Sequence, residues 1–132
     1  MIIGIGTDIV SIDRIDGIIG RFGTRFLDRI FTPSEQHQAE GRAQKMRFYA
    51  MRFAAKEAGW KALSPDRRRR IGWHDFEVIS TDQGQPVLNF HGEAQDVLAE
   101  KVGRGHDQSA RIDLSLSDDG GFALAFVVLS AS

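Results

Sequence analysis

The sequence predicts an α+β fold: one small domain over residues 1–132, with antiparallel strands packed against a long helix. Three observations carry this. A length of 132 residues suits one compact domain. A stretch from about Gln44 to Leu63 is rich in Ala, Lys, Arg, Met and Glu, with Met46, Tyr49, Ala50, Phe53 and Ala54 forming an apolar face at helical spacing. Two pairs of β-branched and aromatic runs are each joined by a short glycine-containing turn.

In chain order, Met1 to Asp8 is a short apolar run containing Gly4 and Gly6, and reads as a strand with close backbone neighbours. Ser11 caps a helix bearing Ile12, Ile15, Ile18, Ile19 and Phe22 on one side, with Arg14, Arg21 and Arg25 between them. Thr32-Pro33-Ser34-Glu35 has the form of a capping box, with a hydroxyl at the cap and a carboxylate three residues on, so a helix begins at Pro33. The long helix follows and is stopped by Ser64-Pro65-Asp66, because proline forces the residue before it out of helical geometry. Phe76 to Ser80 and Pro86 to Phe90 form a hairpin across Thr81–Gln85. Glu93 to Val102 is a short helix, and Arg111 to Ser117 with Phe122 to Leu129 form a final hairpin across Asp118–Gly121.

Composition narrows the function classes. No cysteine is present, which excludes disulfides, thiolate zinc sites and cysteine nucleophiles. No run approaches the roughly 20 apolar residues that span a bilayer. The N-terminus has no basic start and no small-residue cleavage site, so it reads as a strand rather than a signal peptide, and a cytoplasmic protein is expected. The net charge of −1 hides an asymmetry: residues 1–70 carry 14 Lys and Arg against 8 Asp and Glu, while residues 71–132 carry 3 against 10. Thirteen of the 17 basic residues are arginine, suited to bidentate contact with carboxylate or phosphate, so the basic half points to an anionic partner.

Three groups of side chains could carry chemistry. Asp8 ends an apolar strand and must be solvated, paired or bound to a cation. It is either a cap for the next helix or a hard oxygen ligand for Mg²⁺. Phe53, Glu57 and Lys61 recur every four residues and share a helical face. Glu57 and Lys61 are then either a surface pair worth about 0.3–0.5 kcal/mol or a metal ligand one turn from a phosphate-neutralising lysine. Arg14, Arg21, Arg25 and Arg29 are a solvated face or a grip on an acidic helix or a phosphate. Arg67–Arg70 lie in a loop, where a solubilising turn is the favoured reading over a partner contact or a nucleic-acid patch. His37, His74, His91 and His106 show no metal-ligand spacing and read as surface or turn residues.

Together the blocks resemble a known family. Met1-Ile2-Ile3-Gly4-Ile5-Gly6-Thr7-Asp8-Ile9-Val10 resembles the start of the holo-acyl-carrier-protein synthases, small 4′-phosphopantetheinyl transferases. Arg52-Phe53-Ala54-Ala55-Lys56-Glu57-Ala58 followed by Lys61 matches their second signature, and Leu114–Ser117 with Ala123–Val128 resembles their last hairpin. The resemblance spans essentially the whole chain, in the family's order. It implies a 4′-phosphopantetheinyl transferase-like fold and Mg²⁺-dependent transfer of phosphopantetheine from coenzyme A to a serine of apo-acyl carrier protein, leaving adenosine 3′,5′-bisphosphate.

By the same resemblance, Asp8 and Glu57 would hold Mg²⁺ against the coenzyme A pyrophosphate, and Lys61 would neutralise charge on the leaving phosphate. The proton acceptor is Glu57 or a metal-bound water. Arg52, Phe53, Lys61 and Pro86 would contact coenzyme A, and Arg14, Arg21 and Arg25 would face the acidic helix of the carrier protein. The short members of the family are homotrimers with sites between subunits, so a homotrimer is expected, with no nucleic acid and no membrane as partner. Two stretches depart from the family pattern. Ser64-Pro65-Asp66 and four arginines stand where a Gly-Thr-Gly-like turn is usual, and Asp118 stands where many relatives have histidine. The alternative from another class is a non-catalytic, arginine-rich binding module for an acidic protein or a nucleic acid.

Overall fold

The computed structural model describes residues 1–103 and 109–132. Strand β1 (Ile2–Ser11) leads into helices α1 (Ile12–Phe22), α2 (Thr24–Ile30), α3 (Pro33–Glu40) and α4 (Lys45–Leu63). A 3₁₀ turn (Trp73–Asp75) precedes the hairpin of β2 (Phe76–Ser80) and β3 (Pro86–Phe90), and α5 (Gly92–Val102), β4 (Ala110–Asp119) and β5 (Phe122–Ala131) complete the chain. The expected elements are present, and the α+β class with antiparallel strands against a long helix holds. Among the described residues no helix is long and apolar enough to cross a membrane.

Local signals explain the boundaries. The Ser11 hydroxyl accepts from the Arg14 amide at 3.2 Å and opens α1. Gly23, at φ 58°, turns the chain between α1 and α2, so the expected single arginine-bearing helix is two, with Arg25 and Arg29 on the second. The Thr32–Glu35 capping box forms as read. Ser64 ends α4 in the left-handed region, at φ 46°, a conformation that glycine adopts without strain.

Two sheets flank α4. The larger has the order β1-β5-β4, all antiparallel, so the last strand lies between the first and the fourth. This pairing of the chain ends was not legible in local patterns, which revealed only the β4–β5 hairpin. Ala123, Ala125, Val127 and Leu129 of β5 are buried toward α4. The helix itself is buried nearly all round, not on one face as its spacing suggested: Ala54, Ala55, Ala58, Gly59 and Ala62 are buried, whereas Met46 and Phe53 are only half-buried.

That run of small residues admits β1 unusually close. A Cβ on Gly4 would overlap the carbonyl oxygen of Ala62, and one on Gly6 would overlap that of Ala58. A second tie lies on the other side of α4. Glu35 and Lys56 form a fully buried ion pair at 2.7 Å. Glu35 also accepts from the Thr32 and Val78 amides, and Lys56 donates to the Trp73 and Phe76 carbonyls. With every polar atom engaged, the pair joins α3, α4 and β2, and losing one partner would strand a buried charge. Sequence reading assigned Glu35 only its capping role.

Replacing Gly6 with alanine is expected to cost at least about 3 kcal/mol, because the clash is with backbone rather than a mobile side chain. Denaturant unfolding of Gly6→Ala checks this, and near-native stability would contradict the packing described.

Candidate active site

The glycine contact fixes what lies two residues further on. Side chains alternate along a strand, so Asp8 shares the α4-facing side with Gly4 and Gly6 and is paired across the sheet with Ala125. There it meets the stripe that four-residue spacing places on α4. The Lys61 ammonium donates to Asp8 Oδ1 at 3.1 Å and to the Thr7 carbonyl at 3.1 Å. Glu57, half-buried, stands one turn earlier on the same helix.

The charge of Asp8 acts on Glu57. Burial raises the Glu57 pKa above the usual glutamate range, the negative charge of Asp8 adds to the rise, and Lys61 and Arg14 oppose it. Two carboxylates held within mutual repulsion are a hard-oxygen site for a small divalent cation. Among the described residues no cluster of three or more His, Asp or Glu could hold a metal. Asp8 and Glu57 are the kind of donors that Mg²⁺ takes, since it commonly binds one or two carboxylates and fills its sphere with water and substrate phosphate. Asp8 is thus not a helix cap; Ser11 has that role.

The remaining candidates separate. Arg52 and Pro86 line one groove of about 640 Å³ with Arg42, Arg47, Phe48 and Leu116. Arg52 is 6% exposed, its guanidinium carbon 3.9 Å from the Phe48 ring centre and its Nε without a partner. Burial lowers its pKa to about 10, with Arg42 adding to the drop and Glu35 opposing it. A buried cation with a free donor, beside two more arginines, suits a phosphate. Asp118 holds Arg47 at 2.6 Å on the rim, and that contact keeps the Asp118 carboxyl below the usual range. Arg42 and Arg47 were missed in the sequence, because Arg42 precedes the helix and only the fold gathers all three.

Phe53 does not join that groove. It stacks between Phe26 at 6.4 Å and Trp73 at 5.3 Å, on another side of α4. Arg14, Arg21 and Arg25 are exposed on α1 and α2, and among the described residues none of them is in an ion pair. The Arg67–Arg70 loop is more than a solubilising turn, since Arg69 clamps it to Glu93 and Glu100 of α5. His37, His74 and His91 are exposed as expected, and His106 lies outside the described residues.

The strained carboxylate pair has a measurable consequence for stability. A raised pKa in the folded state means that folded protein binds the Glu57 proton more tightly than unfolded protein. The cost of charging Glu57 is absent below the unfolded glutamate pKa and complete above the folded one. Glu57→Gln is therefore expected to raise Tm by a few degrees at neutral pH, and the advantage should vanish as pH falls through the carboxylate range. Calorimetry across pH checks it; a lowered Tm at neutral pH would contradict it.

Comparison with known proteins gives the family. Residues 4–126 match the model of the 4′-phosphopantetheinyl transferase superfamily. The chain is 47% identical over 131 residues to a holo-[acyl-carrier-protein] synthase of Cereibacter sphaeroides, covering 99% of this chain and 94% of that one. It is 45% identical over 131 residues to the Methylorubrum extorquens holo-[acyl-carrier-protein] synthase, covering 99% and 95%. The crystal structure of the Neisseria meningitidis holo-[acyl-carrier-protein] synthase superposes with a TM-score of 0.80 at 37% identity, covering 98% of this chain and 99% of that one. A Chronobacterium ammoniagenes synthase in complex with coenzyme A superposes with a TM-score of 0.81 at 29% identity, covering 98% and 97%. The chain belongs to the holo-[acyl-carrier-protein] synthases of the 4′-phosphopantetheinyl transferase superfamily.

Proposed function

We propose that Asp8, Glu57 and Lys61 are the working residues of this phosphopantetheinyl transferase, which moves 4′-phosphopantetheine from coenzyme A to a serine of apo-acyl carrier protein. The observation that carries the assignment is their convergence: Asp8 from the first strand and Lys61 from the long helix meet at 3.1 Å, with Glu57 one turn away. The serine oxygen bonds to the phosphorus that bears the pantetheine. The bond from that phosphorus to the bridging pyrophosphate oxygen breaks, and adenosine 3′,5′-bisphosphate departs. Such a transfer needs positioning and charge stabilisation more than a protein nucleophile.

Each residue has a distinct task. Asp8 and Glu57 would hold Mg²⁺, which when bound supplies positive charge to the pyrophosphate oxygens. Lys61, half-exposed on a flexible stem beside Asp8, would neutralise charge on the leaving group. The serine proton passes to Glu57 or to a water held by the cation. Arg52 and Pro86, in the arginine-lined groove, would contact the nucleotide end of coenzyme A, and Phe53 acts by holding Trp73 in its stack.

The partner surfaces follow from exposure and charge. Arg14, Arg21 and Arg25, exposed and in no ion pair among the described residues, offer a cationic face to the acidic helix of a carrier protein. Ile5 and Ile9 of β1 and Leu124 and Phe126 of β5 line the outer face of the large sheet and are 40–64% exposed. An apolar face of this kind on a short chain supports a homotrimer, in which copies of the chain cover one another. The proposed location is the cytoplasm. The arginine-rich binding module is not favoured, because it gives no role to two opposed carboxylates beside a lysine.

Intact-mass measurement of apo-acyl carrier protein incubated with this protein, coenzyme A and Mg²⁺ should show a gain of one phosphopantetheine, abolished by EDTA. Asp8→Ala and Glu57→Ala should each lower the rate by at least about a hundredfold while remaining folded, and Lys61→Ala should lower kcat more than it raises KM. Near-native turnover by either carboxylate variant would overturn the site assignment. The same preparation should sediment as three chains, and Phe126→Asp should dissociate it; an unchanged monomer would contradict the oligomer.

A further inference from the structure

The transfer chemistry gives no task to Asp118, the acid at the rim of the arginine groove. The guanidiniums gathered there are not equivalent. Those of Arg52 and Arg42 lie 3.9 Å and 4.4 Å from the centre of the Phe48 ring. Among the described residues neither is paired with a carboxylate, and the buried Nε of Arg52 has no partner. Arg47 differs. Its Nη2 donates to Asp118 Oδ1 at 2.6 Å and its Nη1 to Gln44 Oε1 at 3.3 Å, so both terminal nitrogens already have partners.

The carboxylate in this contact is anchored more firmly than the cation. Asp118 is paired with Ala123 near the end of the β4–β5 hairpin, just before Gly120 and Gly121 turn the chain at φ 59° and 85°. The Gly121 carbonyl accepts from the Ile12 amide at 2.9 Å, which ties the hairpin end to the start of α1. Arg47, in the first turn of α4 and 44% exposed, reaches this fixed point on a long stem. Its hydrogen bond keeps the Asp118 carboxyl below the usual range, so the acid stays ionised at neutral pH. An anion entering the groove therefore meets two open guanidiniums and a third already taken. To use Arg47 it must displace or share it with a carboxylate of its own sign.

We propose that Asp118 is a specificity-determining residue: an intramolecular competitor that occupies Arg47 and weakens binding of the ligand's phosphate in the groove. The inference rests on the reading that the groove takes the nucleotide end of coenzyme A, where the ribose carries a 3′-phosphate. Asp118 then limits how strongly the protein prefers coenzyme A to a donor lacking that phosphate. Adenosine 3′,5′-bisphosphate retains the 3′-phosphate, so the product is held less tightly for the same reason.

Titration calorimetry at low ionic strength, with Mg²⁺ and no carrier protein, tests this. Asp118→Asn keeps the size of the side chain and removes its charge, and should tighten coenzyme A and adenosine 3′,5′-bisphosphate about fivefold. Binding of 3′-dephospho-coenzyme A should be unchanged. Asp118→Glu keeps the carboxylate and should give no such gain. In an Arg47→Ala background most of the gain from Asp118→Asn should vanish. A persistent gain there would mean general repulsion and overturn the competition. Weaker binding by Asp118→Asn would overturn it too, making Asp118 a support that aims Arg47 at the ligand, and so would an equal gain for the dephosphorylated donor. If Arg52→Ala weakens coenzyme A while Asp118→Asn changes nothing, the competitor alone is refuted. If Arg52→Ala also changes nothing, the nucleotide reading of the groove falls with it.

Discussion

Gly4 and Gly6 let the first strand lie directly against the carbonyls of Ala62 and Ala58, and the site is organised around that contact. A side chain at either position would push β1 away from α4. Asp8 is held by the same strand register and faces the same side, so the separation that excludes a Cβ also sets the reach from Asp8 to Lys61. The pairing of β1 with β5 fixes the strand from its other edge, which brings the two ends of the chain into one sheet. Packing and chemistry here have a common geometric cause.

The opposite side of α4 is fixed by a different means. The Glu35–Lys56 pair is buried with all its hydrogen-bonding capacity met, and it ties the helix to α3 and β2. Lys56 and Glu57 are sequence neighbours with opposite fates. The lysine is fully buried and committed to structure, while the glutamate is half-buried near another carboxylate, and burial first and that neighbour second raise its pKa. A packed helix holding two carboxylates in place is what the proposed Mg²⁺ site would need.

Much of this was legible in the sequence because the signals were local. The capping box at Thr32–Glu35, the proline stop at Ser64-Pro65 and the two hairpins needed only nearby residues, and the four-residue spacing of Phe53, Glu57 and Lys61 gave their shared side of α4. Asp8 was legible as an acid out of place on an apolar strand. What was not legible depends on long-range packing: the central position of β5, the burial of Lys56 against Glu35, and the gathering of Arg42, Arg47 and Arg52 around Phe48. The family resemblance implied that Arg52 and Phe53 both contact coenzyme A; adjacent helical positions point about 100° apart, and the fold places Arg52 in the arginine groove and Phe53 in the stack with Trp73.

The account stands on Asp8 and Glu57 acting as one unit, brought together from distant parts of the chain. A double-mutant cycle with Asp8→Ala and Glu57→Ala, read as kcat/KM for transfer at saturating Mg²⁺, tests this most directly. If the two carboxylates share one cation, the double variant should be scarcely slower than either single variant. If the two losses multiply, the carboxylates act independently and the central claim fails.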